Sequence, residues 1–211
     1  IFKQKFTINN NDTDFVNRLY NILSKQNCTE TEFHFQVSKR LYEMLPLPSS
    51  ASKLGKICIK RKEFNQAIEY FDMAVESEVD KDKKAKYLLE KADAYRISKN
   101  YSNAILTAKQ SIELNKNWGE AFITIGNIYV AGAGNCSSDF EKSTVYWVAV
   151  DYFTKALSDE SANEIARKSI NTYSKYFPTK EECFFNGSLQ SGDSYTVECW
   201  INKRTTVRTS D

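Results

Sequence analysis

The sequence predicts an all-α solenoid of helical hairpins that ends in a small β-hairpin. Three observations predict it. With only three Pro and seven Gly among 211 residues, the composition favours helix over sheet. Two stretches in the middle of the chain repeat one another in step. Near the C-terminus the apolar period drops from that of a helix to that of a strand.

Residues 1–47 read as a degenerate helical hairpin. Val16, Leu19, Ile22 and Leu23 line its first helix. Thr29 with Glu32 forms a capping box for a second, which runs to Leu45 through Phe33, Val37, Leu41 and Met44. Tyr20 stands where the later pairs carry a small residue, so this pair should pack more loosely. "PLPSS" then separates it from the first well-formed repeat.

Self-similarity begins after that break. Aligning "KLGKICIKRKEFNQAIEYFDMAV" with "EKADAYRISKNYSNAILTAKQSI" places Gly55 on Ala92, Cys58 on Tyr95, Phe64 on Tyr101, Ala67 on Ala104, Phe71 on Ala108 and Ala74 on Ser111. Small residues at Gly55 and Ala67 let two helices approach closely while aromatics fill the space beside them. A third unit opens with Phe122, Ile125, Gly126 and Tyr129. Its second helix, "VAVDYFTKAL", carries Ala149, Phe153 and Ala156. Eleven extra residues separate Gly126 from Ala149 relative to the other pairs, about three helical turns. "AGAGNCSS" supplies a loop, and Ser138 with Glu141 a capping box for a lengthened helix.

After Leu157, Ser161 and Glu164 signal a further capped helix with Ile165, Ile170, Tyr173 and Phe177, which covers the last apolar face of the array. In "SYTVECWI", Tyr195, Val197, Cys199 and Ile201 share one face of a strand. "NK" is a two-residue turn into "RTTVRTS". An isolated hairpin is marginal in water, so this one should rest on the helices through Phe184, Phe185 or Trp200.

The repeats resemble the tetratricopeptide repeat, whose pattern W-x₂-L-G-x₂-Y, then A-x₃-F, is matched by Leu54, Gly55, Ala67, Phe71 and Ala74, and by Ala92, Tyr95, Tyr101 and Ala104. The Trp position holds Ala51 and Leu88, and neither repeat has the closing Pro. "WGEAFITIGNIY", "DFEKSTVYWVAVDYF", "YSKYFPTKEECFFNG" and "GDSYTVECWINKRTTVR" further resemble the C-terminal part of exported tetratricopeptide proteins of Bacteroidetes, and "IFKQKF" looks like a join to an N-terminal half. The resemblance implies a right-handed α-solenoid and an exported, periplasmic or envelope-associated location. It implies no particular activity. The corresponding divisions are a degenerate hairpin over 1–47, repeats over 48–81, 85–118 and 119–160, a capping helix over 161–178, and an extension with the hairpin over 179–211.

Several classes lose support. A net charge of +2 gives no basic excess for nucleic acid. No apolar run approaches the roughly 20 residues of a membrane-spanning helix. Five widely spaced cysteines contain no C-x-x-C pair, against zinc or thioredoxin chemistry. The one histidine, His34, reads as a packing or surface residue, and neither a Ser-His-Asp set nor a His-based metal site can be assembled around it. "AGAGN" lacks the Lys of a phosphate loop, and "DKDKK" reads as a solvated linker rather than a calcium loop. The sequons at Asn11, Asn27, Asn135 and Asn186 would matter in a eukaryotic secretory protein; if the bacterial resemblance holds, they are coincidental. No catalytic residue, metal or cofactor is expected.

The expected function is therefore a non-catalytic module that holds a peptide segment or partner protein in the concave groove of successive first helices. Its candidate contacts are Ser52, Lys56, Ile59 and Lys60, then Lys86, Leu89, Asp93 and Arg96, then Glu120, Ile123, Asn127 and Val130. The plain alternative is that these are ordinary solvated residues. A rival role is a structural scaffold that associates with copies of itself or with its own N-terminal half. An enzyme is the remotest reading. The aromatic group Tyr146, Trp147, Tyr152 and Phe153 cannot fit a single helical face, and the tail is the simplest thing for it to hold. If the exported resemblance places the chain in an oxidising compartment, Cys136 in the added loop and Cys199 in the hairpin are candidates for a disulfide. Cys28, Cys58 and Cys183 would then be free thiols. Otherwise Cys136 is simply exposed in its loop.

Overall fold

The computed structural model describes residues 1–26 and 31–211, which fall into two units, Ile1–Ala94 and Tyr95–Asp211. Among the described residues the protein is all-α apart from one two-stranded sheet.

The first unit contains α1 (Phe2–Asn9), α2 (Thr13–Lys25), α3 (Glu32–Met44), α4 (Pro48–Lys60), α5 (Phe64–Ser77) and most of α6 (Lys81–Ile97). Helix α1 carries no sequence signal that foretold it. Asp12 caps α2 by accepting the Phe15 N–H at 3.0 Å. Thr31 caps α3, accepting the His34 N–H at 3.2 Å. The expected box of Thr29 with Glu32 is thereby corrected. Glu32 is the first helical residue, where its carboxylate favours the helix dipole instead of closing a box. Thr29 itself lies outside the described residues, as do Asn27, Cys28 and Glu30. In α2 the stripe Val16–Leu19–Leu23 is buried but Ile22 is 42% exposed. That apolar face is narrower than the sequence suggested. Tyr20 stacks on the buried His34 ring with centroids 5.4 Å apart, and Ser24 Oγ lies 3.0 Å from His34 Nε2. The lone histidine is thus a packing residue.

In the next pair the sequence pattern becomes geometry. A Cβ placed on Gly55 of α4 would lie 2.8 Å from Phe71 Cζ of α5, so only Gly admits the ring. Leu54, Cys58, Ala67 and Phe71 are fully buried, and Ala94 of α6 joins their cluster. Ala51, Ala74 and Tyr87 form the adjoining one. Pro48 starts α4, where its missing N–H costs nothing.

The second unit contains α7 (Tyr101–Leu114), α8 (Gly119–Gly132), α9 (Asp139–Ala156), α10 (Asn163–Tyr173), α11 (Lys180–Phe185), β1 (Ser194–Val197) and β2 (Lys203–Thr206). Phe153 of α9 occupies the space that a side chain at Gly126 of α8 would need, which repeats the Gly55–Phe71 relation. Most of the added sequence lies in α9 itself. Ala149 is the eleventh residue of its helix, whereas Ala67 is the fourth of α5. A 3-10 turn at Ala133–Asn135 and a few loop residues take up the rest. Ser138 caps α9 through the Glu141 N–H at 3.1 Å. Glu141 does not complete the box. Its carboxylate accepts instead from the N–H and hydroxyl of Ser137, and these bonds hold its pKa below the usual value.

Three tail expectations need correction. Ser161 does not cap α10. Asp159 caps the 3-10 turn Glu160–Ala162 through Ser161, and α10 follows that turn directly. The residue of α10 that is buried is Ala166, while Ile165 is 56% exposed. The hairpin has no Asn202–Lys203 two-residue turn. Its register pairs Ser194 with Thr206 and Val197 with Lys203, so residues 198–202 form the loop. Cys199 and Asn202 take positive φ there, and Cys199 and Ile201 leave the strand face they were assigned to. Of the aromatics expected to dock the hairpin, Trp200 does so, bonding to the Gly132 carbonyl, while Phe184 and Phe185 are 63% and 74% exposed.

Candidate partner-binding faces and the hairpin platform

Helix α4 brings Ser52, Lys56, Ile59 and Lys60 along one side, and α6 brings Lys86, Leu89 and Asp93. Ser52 is buried and donates its hydroxyl to Glu90 Oε2 at 2.5 Å; Lys56 pairs with Glu90 Oε1 at 2.7 Å. Glu90 of α6 thus ties two candidate residues of α4 to its own helix. The sequence pattern did not single it out, although it lies four residues after Lys86, on the same face of α6. Ile59 is half-buried against the Phe71 cluster, and Leu89 is buried. Lys60 and Lys86 are exposed, and Asp93 is half-buried. In the second unit Arg96 is half-buried, Glu120 and Asn127 are exposed, Val130 is half-buried and Ile123 is buried. Ser52, Leu89 and Ile123 are therefore corrected from contact residues to interior ones. They occupy helix positions that turn from the surface into the packing. Lys60, Lys86, Glu120 and Asn127 present the most open side chains, with Lys56 exposed but ion-paired.

A second constellation surrounds the hairpin. Cys136, in the connection after α8, is disulfide-bonded to Cys199, with Cα atoms 5.4 Å apart. Beside it Trp200 donates its indole N–H to the Gly132 carbonyl at 2.9 Å. Its ring lies against Tyr129 and Tyr101, at centroid distances of 5.8 and 5.5 Å. Gly132 allows this approach, because a Cβ there would overlap the indole. On α9, Trp147 is fully buried and donates to the Arg208 carbonyl at 2.7 Å. Arg208 Nη2 donates back to the Trp147 carbonyl at 2.6 Å and to Asp151 Oδ1 at 2.7 Å, and Thr205 donates to Asp151 Oδ2 at 2.5 Å. Val197 and Val207 are buried.

The four aromatics of the long helix are thereby divided. Trp147 holds the tail, Phe153 fills the Gly126 gap, Tyr152 meets Tyr129, and Tyr146 meets Tyr173 and Tyr176. Burial pushes the Tyr129 and Tyr152 hydroxyls above their ordinary pKa. Cys58 and Cys183 are buried free thiols, and burial raises both. Cys28 lies outside the described residues. Among the described residues no group of His, Cys, Asp and Glu is placed to hold a metal ion. No described helix is long and apolar enough to cross a membrane.

No family model matches the chain, and none of the curated proteins matches it. Solved structures do. MamA is 16% identical, covers 84% of this chain and 96% of its own, and superposes with a TM-score of 0.49. YrrB, described as a TPR protein with an unusual peptide-binding site, is 14% identical over 90% of this chain and 98% of its own, with a TM-score of 0.47. The C-terminal part of a TPR repeat-containing protein from Cytophaga hutchinsonii is 12% identical over 88% of each chain, with a TM-score of 0.32. All three superpositions fall below 0.5. The tetratricopeptide-like character therefore rests on this chain's own packing: Gly55 against Phe71, and Gly126 against Phe153.

Proposed function

We propose that the protein is a non-catalytic interaction module, part of an exported, envelope-associated assembly, whose units each offer an open helix face to a peptide segment or partner protein: α4 and α6 in the first unit, α8 in the second. The observation that carries this reading is the division of labour within each of these helices. One side is consumed by packing, and the other presents Lys56, Lys60, Lys86, Glu120 and Asn127 to solvent. Exposed polar residues on a rigid helical scaffold can recognise an extended or helical segment without reorganising. The Cys136–Cys199 bridge supports the exported location, because such bonds persist in oxidising compartments.

The test combines Lys56→Gln, Lys86→Glu and Arg96→Glu in one variant. Gln is used at 56 so that Glu90 does not meet a like charge. Capture of partners from native membranes should fall sharply while helicity stays unchanged. Equal capture by wild type and variant sinks the reading.

A self-associating scaffold is the second reading, and the exposed Ile165 and Tyr176 at the α10 end of the second unit favour it. Sedimentation that shows concentration-dependent association, abolished by Ile165→Lys, would support it over the first.

A further inference from the structure

We infer that the cleft between α9 and β2 is a second binding site, which accepts an acidic peptide segment in extended conformation. The cleft encloses about 410 Å³ and is floored by Val148 and Tyr152. Its walls carry Lys155 from the last turn of α9, Lys203 and Arg204 from β2, and Arg208 just beyond. One carboxylate, Asp151, faces these four cations. Its two oxygens are already taken by Arg208 and by the Thr205 hydroxyl.

Arg208 is thus neutralised within the protein. Lys155, Lys203 and Arg204 are not, for none of them makes an ion pair among the described residues. Lys155 lies over the Tyr152 ring at 4.9 Å, and Arg204 is steadied by donating from Nε to the Ser194 hydroxyl at 2.5 Å. Lys155 is thereby held at the cleft, while Arg204 lines it from the strand and is tied to β1. Lys203 is a charged residue on the strand face that also carries the buried Thr205. A Lys held on an inward face beside two further cations adds repulsion, which an anionic ligand would relieve.

The shape of the site favours a peptide over a small anion. β2 pairs only with β1, so its other edge has no strand beside it among the described residues. An extended segment can add along such an edge through main-chain hydrogen bonds while its side chains reach alternate pockets. Three separate cations around an apolar floor suit a segment in which acidic and apolar residues alternate. A single phosphate would meet the charges but leave the floor of Val148 and Tyr152 unused. This inference is independent of the α4, α6 and α8 faces, and either can fail without the other.

The probe is a fluorescein-labelled peptide of about eight residues, the span of an ordinary strand, alternating Glu with Val or Thr. Fluorescence anisotropy with the full 211-residue chain should show saturable binding that weakens with added salt. The variant Lys155→Gln, Lys203→Gln, Arg204→Gln should weaken it by about tenfold or more, equivalent to about 1.4 kcal/mol. Lys86→Glu, on the other candidate face, should bind the peptide like wild type. If the triple variant melts early, Arg204→Gln alone, at an exposed position, should still give a measurable loss. Any of three results overturns the inference: no saturation with wild type, unchanged affinity in the variants, or equal binding of a peptide with Lys in place of Glu. Complete displacement by an equimolar amount of inorganic phosphate would also overturn it, by showing a small-anion site.

Discussion

At Gly126 a missing methyl sets the distance between two helices. A Cβ there would overlap the Phe153 ring, which is itself fully buried and stacked on Tyr173 at 5.6 Å. The ring has nowhere to retreat. Gly126→Leu is therefore expected to destabilise by about 1–3 kcal/mol through overpacking, despite the better helix propensity of Leu. A thermal melt checks this, and an unchanged midpoint would show that α8 and α9 are not packed through this pair. A second residue-scale expectation concerns Cys58. Burial first, then the nearby Glu63 carboxylate, pushes its thiol up to about 12. In the unfolded chain the thiol titrates near the ordinary value of 9.0. A raised folded pKa means the stabilising contribution is complete below about 9 and is lost as pH climbs toward about 12. Native protein at pH 8 should leave Cys58 unlabelled by a thiol reagent, while denaturant should expose it to rapid reaction. Labelling of Cys58 at equal rates in both states would contradict its burial.

At the scale of elements, the long α9 is explained by what it supports. Its added N-terminal turns carry Phe140, whose ring meets Tyr195 of β1 edge-on at 6.3 Å, and the turns that follow carry Trp147 and Asp151, which make the hydrogen bonds to Arg208 and Thr205 that dock the hairpin. The Cys136–Cys199 bond clamps the far end of the hairpin across a sequence separation of 63 residues. Closing a loop of that size is worth about 4 kcal/mol in the unfolded-chain entropy account. Cys136→Ser should lower stability by up to that amount and redshift the Trp200 emission, with the α8–α9 pair still formed. If reduction changes neither the melt nor the fluorescence, the bond only decorates a hairpin that docks by itself. How much of this was readable in the sequence depended on periodicity. The pair α4–α5 and the long α9 were legible because Gly55, Ala67, Gly126 and Ala149 stand at helical spacing within repeated frames. The turn of the hairpin was not: alternation carried the strand through Cys199 and Ile201, but Trp200 is held by Gly132 and Tyr129. That tertiary contact draws residues 198–202 into a loop. Caps failed for a related reason. At α3 the N-cap is Thr31, and Asp159 serves both Ser161 and, through Oδ2 at 2.8 Å, the Gly119 N–H of a distant helix. Among the contact residues, Ser52, Leu89 and Ile123 were misread because the border between a helix's packed and open sides is set by its neighbours.

At the scale of the molecule, helical-repeat arrays have one recurrent difficulty: each repeat covers its neighbour, and the last has an apolar face with nothing after it. In the second unit two devices share that task. α10 lies on α9 through Tyr173, which stacks on Phe153, and with Tyr176 it also covers Tyr146. The tail covers Trp147 through Arg208 and Tyr195 and holds Asp151 through Thr205, while the hairpin loop covers Gly132 and Tyr129. The hairpin is too short to fold alone, and the helices it covers would leave two large aromatic surfaces in water without it. Each part is therefore needed by the other. Deleting residues 191–211 should uncover Trp147 and the Tyr129 face together, because the strands and the loop leave as one piece. The shortened protein is expected to keep most of its helical circular dichroism, melt at lower temperature, and bind a hydrophobic dye that the full chain does not bind. Hydrogen exchange should accelerate in α8, α9 and α10, the elements next to the lost cover. A shortened chain with the same melt, dye response and exchange as the full one would show that α9 is stable without its tail. The additional turns, which carry Phe140, would then need another purpose.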